Sequence, residues 1–401
     1  MLIKTAIHSI IRNPRRMFSI LLTIAVGSST LYIVYGFNSG LITEYRERTI
    51  HSQHAHGTIF TKGYYDTVTD TPWKNWITNW KSLSEELEGL PFISQTFPRT
   101  SFYAILSNGI KNIDAKGEGI VPSKEINFFT SLNFIKGGPL TTEGDGIVLG
   151  AGLAKALSVE VGDNISILTN TIHNTSNAID LTIHGIFKTG NDLFDKMSFR
   201  LSLNHSQILL DTDKIESLSI ALNEKYNWQA LTTHLKKTNQ DLEAISFEEL
   251  EKVIYSNSIE WLSSQFIIIM IIIYMLVILA IINSISTSII ERYQELGNLR
   301  ANGESKFDLF KTLMLESSIL GLAGSAIGII IALTISNFFL KSGILMPPPP
   351  SLSLPIRVFI PFSFKMILIS VFFGIITSLL ATLVASIQAI KIPIVNLLRS
   401  E

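Results

Sequence analysis

Residues 266–282 read FIIIMIIIYMLVILAII, an apolar run without a single charged side chain. A bilayer core about 30 Å thick is crossed by a helix of roughly 20 such residues. Only 16% of the residues in the chain are charged, whereas a soluble domain carries about 25%. The chain is therefore predicted to be an α-helical membrane protein with four transmembrane helices. The predicted spans are residues 17–37, 266–290, 317–340 and 366–390.

The first apolar segment allows two interpretations. Residues 1–29 combine basic residues, an apolar stretch and the small residues Ser28 and Ser29, which is the pattern of a cleaved signal peptide. The apolar run nevertheless continues to Phe37, far enough to cross a bilayer. An uncleaved membrane anchor is the favoured interpretation.

Residues 38–265 separate the first span from the other three and contain no span. They carry 27 acidic and 19 basic residues, while the rest of the chain carries 6 acidic and 13 basic residues. Basic residues next to spans stay on the cytoplasmic side. Ten of them lie on one side of the predicted spans, against three in the loop 341–365. The ten are Lys4, Arg12, Arg15, Arg16, Arg292, Arg300, Lys306, Lys311, Lys391 and Arg399. Both termini are therefore predicted to be cytoplasmic.

The large segment between the first and second spans is predicted to be a mixed α/β extracytoplasmic domain. Residues 164–168 (NISIL) and 181–187 (LTIHGIF) resemble short strands. Residues 82–90 (SLSEELEGL) and 246–264 resemble helices. The chain has no Cys, so the domain depends on an apolar core, which a segment of this length can form.

Three histidines, His51, His54 and His56, lie close together in HSQHAHG and could bind a metal. If this segment is extended, His54 and His56 share one face and His51 lies on the other. Zinc also needs a fourth ligand, which the sequence does not identify. A polar strand near the membrane is favoured over a metal site.

Other candidate sites are weak. Residues 150–155 (GAGLAK) lack the G-x-x-x-x-G-K-[ST] pattern of a phosphate-binding loop. Trp73, Trp76 and Trp80 have the spacing of one helical face, which favours core or partner packing over a ligand cage. No catalytic constellation stands out, so the chain is not expected to be an enzyme.

A short charged stretch, SIIERYQELGNLRANGESKFD (288–308), lies between the second and third spans. On a helix, Glu291, Glu295 and Leu299 share one face, and Arg292 and Leu296 share the next. Gly297 and Gly303 can break or turn a helix. We expect a short helix that lies along the membrane surface and serves as a docking element, although an ordinary solvated loop is the alternative.

Small residues recur in the third span. Gly321, Gly324 and Gly328 follow one another at spacings of three and four, which lets helices approach closely in lipid. Glu316 lies at the start of this span, where a functional role and a structural contact at the helix end are equally compatible with the sequence.

Residues 291–332, ERYQELGNLRANGESKFDLFKTLMLESSILGLAGSAIGIIIA, resemble the FtsX-type permease of the MacB/LolC/LolE (type VII) ABC transporter family. Residues 146–168 resemble the external-domain signature of that family, and residues 389–400 resemble its usual C-terminal motif. The positions that match the family pattern of the charged stretch are Arg292, Glu295, Gly297, Leu299, Arg300, Ala301, Gly303 and Glu316.

The resemblance implies three domains: residues 1–37, an N-terminal segment and first helix; residues 38–265, a MacB-like periplasmic domain; and residues 266–401, an FtsX-like permease module. It also implies that an ABC ATPase subunit docks on the helix at 291–303. The docking residues would be Glu291, Arg292, Glu295, Leu296, Gly297, Leu299, Arg300, Ala301 and Gly303. Asn298 and Asn302 depart from the family, which often has apolar residues there.

The implied function is mechanotransmission in the bacterial inner membrane. ATP and Mg would bind the partner ATPase, and this chain would hold no cofactor. A second permease, identical or related, would complete the transporter, with a periplasmic acceptor or adaptor as a further partner and no nucleic acid. The substrate would be a lipid or lipoprotein taken from the outer leaflet. A MacB-like efflux permease with a separate ATPase and an FtsX-like signal transmitter are the alternatives.

Overall fold

A computed structural model of the chain describes residues 12, 14–64, 71–223, 228–250, 252, 257–347 and 354–391. The chain divides into two compact units. The membrane unit comprises Met1–Thr43, Ile259–Leu345 and Arg357–Glu401, and the inserted unit comprises Glu44–Ser258 and Met346–Ile356. The domain boundaries after residues 37 and 265 stay a prediction. Most of the C-terminal motif at 389–400 lies outside the described residues.

The α-helices follow one another along the described parts of the chain with very different lengths. They are α1 (Pro14–Thr49), α2 (Trp80–Glu88), α3 (Pro122–Glu125), α4 (Ala151–Leu157), α5 (Asp192–Met197), α6 (Leu203–Leu210), α7 (Trp228–Thr238), α8 (Phe247–Leu250), α9 (Asn257–Ile290), α10 (Tyr293–Ala301), α11 (Lys306–Thr334) and α12 (Phe364–Lys391).

The strands of the described residues lie mostly between α1 and α9. They are β1 (Gly57–Thr61), β2 (Ile93–Ser107), β3 (Asn112–Ile120), β4 (Asn133–Gly137), β5 (Ile147–Gly150), β6 (Asn164–Asn170), β7 (Ser176–Lys188), β8 (Ser198–Ser202), β9 (Ser217–Leu222), β10 (Leu242–Ser246), β11 (Ile344–Met346) and β12 (Ile356–Val358).

Four helices among the described residues are long and apolar enough to cross a membrane, which confirms the four predicted apolar helices. They run over Pro14–Ser52, Ile259–Ile290, Lys306–Phe339 and Phe364–Ile387. Their outer faces carry large apolar side chains, such as Ile268 at 61% exposure and Phe372 at 65%. A helix that is apolar on all sides is stable when protein or lipid, not water, surrounds it.

The inserted unit is a mixed α/β domain, as predicted. Its described strands form one sheet in the order β10-β1-β9-β2-β3-β8-β5-β7-β4, and β6 pairs with β2 and β7. The predicted strands at 164–168 and 181–187 lie in β6 and β7, and α2 contains most of the predicted helix at 82–90. The predicted helix at 246–264 contains α8 and the start of α9, and residues 251 and 253–256 between them lie outside the described part.

Strand β2 connects two halves of this sheet. Its first part, Ile93 to Arg99, pairs with β9, and its second part, Thr100 to Ser107, pairs with β3. Each half has an apolar core of its own, one around Leu106, Leu149 and Phe199 and the other around Ile59, Leu218 and Leu231. The change of partner at Arg99 therefore marks the boundary between two lobes.

Candidate docking site

The charged stretch after the second candidate span folds into helix α10. Residues 291 and 292 form a turn after α9, and α10 begins at Tyr293. The helix ends where Gly303 takes a positive φ of 96°, and the N–H groups of Gly303 and Glu304 donate to the carbonyls of Arg300 and Leu299. This is the Schellman arrangement that glycine permits at a helix end.

The helix is shorter than the sequence suggested. Glu291 and Arg292 precede it, so the expectation that they belong to its faces was wrong. Gly297 was considered a point at which the helix could break, but α10 continues through it and buries it. Ser305 then caps the next helix, α11, because its hydroxyl accepts the backbone N–H of Asp308 at 3.1 Å.

Arg292 is buried and holds the turn to two helices. Its Nη2 donates to Glu316 Oε1 at 3.3 Å and its Nε donates to Glu295 Oε2 at 3.0 Å. Glu316 lies in the interior of α11, which begins at Lys306, and it is likewise buried, with 6% exposure. Burial alone would lower the pKa of Arg292, but hydrogen bonds and charge from Glu316 and Glu295 raise it. Glu316 therefore makes a structural contact, one of its two interpretations, but it makes it from inside α11 and not at the end of that helix.

One side of α10 packs inward. Leu296 belongs to an apolar cluster with Ile289, Leu309 and Leu313, and Leu299 packs against that cluster. The helix is thus fixed to the ends of α9 and α11, and it does not stand apart from them.

The opposite side of α10 is exposed and polar. Gln294, Asn298 and Ala301 are exposed at spacings of four and three. Glu291, in the turn before the helix, is exposed as well. Arg300 is half-buried, and Gly303 is exposed beyond the helix end. Gln294 was missed by sequence reasoning, although its spacing from Asn298 could have revealed it. The side chain that departs from the family, Asn298, therefore lies at the centre of the surface available to a partner.

A polar groove of about 1080 Å³ lies beside this turn, within the membrane unit. The N-terminal part of α1 contributes Arg15, Arg16 and Ser19, and the end of α9 contributes Asn283 and Thr287. Glu291, Arg292, Gln294 and Glu295 complete its lining on the α10 side. The exposed side of α10 thus continues into a cleft.

The glycines of the third span lie at close helix contacts. A Cβ at Gly324 would come within 2.8 Å of Ile24 Cβ, and one at Gly328 within 2.5 Å of the Ala25 carbonyl oxygen, both on α1. At Gly321 a Cβ would meet the Ser378 side chain on α12. The side chains of Ser317 and Thr382 also hydrogen-bond between α11 and α12.

The three candidate metal ligands are not on an extended strand, which corrects that expectation. His51 and His54 lie in a π-helical turn, Ile50–His54, that follows α1. His51 Nδ1 is 2.7 Å from the Phe128 carbonyl oxygen, and His56 Nδ1 accepts the backbone N–H of Leu222 at 3.1 Å. Burial lowers the pKa of His56 to about 4. Over the described residues no three His, Cys, Asp or Glu side chains form a group that could hold a metal ion.

The tryptophans do not share one helical face either. Trp73 lies in a 3-10 turn, Pro72–Asn75, Trp76 follows it in extended conformation, and Trp80 begins α2. The residues 150–155 form the end of β5 and the start of α4, and Leu153 of α4 is a core residue.

A cluster of four charges lies where β2 changes partner, and sequence reasoning missed it. Arg200 Nε is 2.7 Å from Glu118 Oε2, and Arg99 Nη2 is 3.0 Å from Glu125 Oε1. Burial opposes the charge of Glu118, but Arg200 and Arg99 lower its pKa to about 2. For Glu125 burial prevails and raises the pKa, although the same two arginines oppose the shift. Arg200 Nη2 also donates to the Ser52 carbonyl at 3.0 Å, so the cluster holds the turn after α1.

Comparison with known proteins gives two family matches. Residues 17–238 match the MacB-like periplasmic core domain, and residues 267–394 match the FtsX-like permease C-terminal domain. The chain is similar to the lipoprotein-releasing system transmembrane protein LolC of Neisseria meningitidis serogroup B, with 24% identity over 77% of this chain and 74% of that protein. It is also similar to an uncharacterized ABC transporter permease of Methanocaldococcus jannaschii, with 26% identity over 47% of this chain and 48% of that protein. The crystal structure of the periplasmic region of MacB from Actinobacillus actinomycetemcomitans covers 50% of this chain and 93% of its own, with 17% identity and a TM-score of 0.37.

Proposed function

We propose a function from one premise, which the two family matches establish: the chain belongs to the ABC transporter permeases that combine a MacB-like periplasmic core domain with an FtsX-like permease domain. In this proposal the chain is a transmembrane subunit, and ATP hydrolysis takes place in a partner subunit. The chain is accordingly a permease of the MacB/LolC/LolE type.

The proposed activity is release of a lipoprotein, or another amphiphile, from the outer leaflet of the inner membrane. The similarity to a lipoprotein-releasing protein along 77% of the chain is the observation that carries this proposal. Removing acyl chains from a bilayer exposes them at about 0.8 kcal/mol per CH₂ group. Summed over the CH₂ groups of each acyl chain, this free-energy cost is large enough that the proposed release requires ATP.

In this proposal an ATPase subunit, with its ATP and Mg, docks on the exposed side of α10. Motion of the ATPase would reach the spans through the contacts of α10. Arg292 joins the turn to Glu316 of α11, and Leu296 packs with Leu309 and Leu313 of the same helix. In this proposal force on α10 reaches α11 through these contacts, and the substrate does not pass through a central pore.

The proposed assembly contains two permeases, either two copies or one copy and a relative, with both termini cytoplasmic. The inserted unit would face the periplasm and meet an acceptor or adaptor there. The docking residues named from the sequence stay a proposal. We narrow them to the exposed residues Glu291, Ala301 and Gly303, and we add the exposed Gln294 and Asn298.

The test is co-purification of the full chain from mild detergent, with Asn298→Lys as the docking variant. The unaltered chain should bring down an ATP-binding subunit, a second permease and bound lipid or lipoprotein. Asn298→Lys should release the ATPase and keep the second permease. The control is Asn112→Lys, which adds the same charge at an exposed position of β3.

Two results would count against the proposal. If no ATP-binding subunit accompanies the unaltered chain, the transporter assignment fails. If both variants retain the ATPase equally, docking on α10 fails.

Efflux of peptides or small molecules is the second candidate, because residues 17–238 match the MacB-like core domain. A small-molecule or peptide substrate that stimulates the ATPase, without any bound lipoprotein, would favour it. ATPase activity that changes an external partner and moves no substrate would instead indicate signalling.

A further inference from the structure

Two cavities in the inserted unit meet near the turn that follows α1. One, of about 560 Å³, is lined by residues of the α1 end, including Arg48 and Ser52, and by Leu193 and Met197. The other, of about 600 Å³, is lined by residues of both lobes. Tyr103, Lys116, Phe194 and Ser198 line both cavities, so the two cavities lie next to each other and share these four residues. Each volume is in the range of small-molecule sites, about 300–1,000 Å³.

The second cavity has an aromatic wall. Phe60, Tyr64, Trp73, Trp76 and Phe199 all line it. Apart from Trp73 these side chains are buried, so they are held in place before any ligand binds. Rings of this kind provide a preformed surface for an apolar group.

The first cavity opens through apolar side chains. Tyr103 is 71% exposed, Leu193 69% and Met197 49%. Exposed large apolar side chains often mark a ligand-binding groove. An apolar ligand group can therefore enter the cavity past these three side chains.

The polar part of the space favours an anion. Lys116 lines both cavities. No direct ion pair joins it to a carboxylate among the described residues, although its charge helps to lower the pKa of Glu118. The carboxylates in the wall are already occupied. Glu118 pairs with Arg99 and Arg200, and Glu216 accepts the backbone N–H of Ser101 at 2.8 Å and the Tyr64 hydroxyl.

Two donors in the wall are left unpaired within the described part of the chain. Trp76 Nε1 and Arg99 Nε are buried donors without a hydrogen-bond partner among the described residues. Buried donors without partners are rare in folded proteins. A ligand that brings acceptor oxygens fits such a wall better than a cationic one.

From these contacts we propose that the two neighbouring cavities together bind one anionic amphiphile, with its acyl chain along the aromatic wall and its acidic headgroup at Lys116. The site goes beyond the transport function proposed above, since it lies wholly in the inserted unit and needs no ATPase.

The experiment uses the full chain in phosphatidylcholine nanodiscs and palmitate carrying a diazirine on its chain. After irradiation, cross-linked peptides are identified by mass spectrometry. Saturable labelling is expected within residues 58–64, 71–76, 99–118 or 193–200. The Lys116→Gln variant should need about tenfold more probe for half-saturation, as expected from the loss of one charge-assisted contact.

Two controls make the result specific. Lys155→Gln removes an exposed lysine of α4 outside both cavities and should leave labelling unchanged. The same diazirine chain ending in an alcohol should bind the unaltered chain more weakly and should not distinguish Lys116→Gln from it.

Labelling confined to the four candidate spans would overturn the site, and so would equal half-saturation in Lys116→Gln. The measurement contains no ATPase. A negative labelling result would therefore not count against docking of an ATPase on α10. Likewise, a negative co-purification result would not count against the cavity site.

Discussion

The pair of Arg292 and Glu316 predicts a large effect of one substitution. Both side chains are buried, with 6% exposure each. Removing one partner of a buried ion pair leaves the other charge uncompensated, at a cost of about 3–5 kcal/mol. Glu316→Leu should therefore lower the free energy of unfolding by that amount, visible as a lower melting temperature of the full chain in mild detergent.

The double variant Arg292→Met with Glu316→Leu gives the matched comparison. Replacing both charges by apolar side chains is often neutral, so most of the lost stability should return. Glu304→Leu, which removes an exposed carboxylate after α10, should change stability by no more than about 0.5 kcal/mol. Equal melting temperatures for Glu316→Leu and Glu304→Leu would contradict the structural role of the pair.

At the scale of the helix, the glycines of α11 set how closely it approaches α1. At Gly328 a Cβ would press on the backbone of Ala25, which cannot rotate away as a side chain could. Overpacking of this kind costs about 1–3 kcal/mol. Gly328→Ala should therefore lower the melting temperature, as the two helices are forced apart.

Gly138→Ala is the control for that substitution, because a Cβ there has no heavy atom within 4 Å. It adds the same methyl group and should leave the melting temperature nearly unchanged. A Gly328→Ala variant as stable as Gly138→Ala would mean that α1 and α11 are not in fixed contact.

The elements predicted correctly from the sequence are those determined by residues within the element itself. The four apolar helices follow from composition, because lipid stabilises any sufficiently long apolar helix. Strand β6 shows the alternation of a half-buried strand, with Ile165 and Ile167 buried. No distant residue is needed to explain either one.

The elements that sequence missed depend on distant residues. Helix α10 begins at Tyr293 after a turn in which Arg292 is bonded to Glu316, 24 residues away. The π-helical turn at His51 is held by the bond from Arg200 to Ser52. No local pattern encodes these pairings, so the start of α10 and the place of the histidines could not be predicted.

For the whole molecule, charge separates along the chain. Residues 38–265 have an excess of acidic residues, and the remainder has an excess of basic ones. Basic flanks are retained in the cytoplasm, so the inserted unit and α10 should lie on opposite sides of the membrane.

The chain has no Cys, which makes this arrangement directly measurable with single cysteines. Asn112→Cys lies at an exposed position of the inserted unit, and Glu304→Cys lies in the loop after α10. A membrane-impermeant maleimide should label Asn112→Cys in intact spheroplasts. It should label Glu304→Cys only after the membrane is permeabilised. Labelling of Glu304→Cys in intact spheroplasts would place α10 outside, where no ATP-binding subunit could dock on it, and would overturn the orientation together with the proposed mechanism.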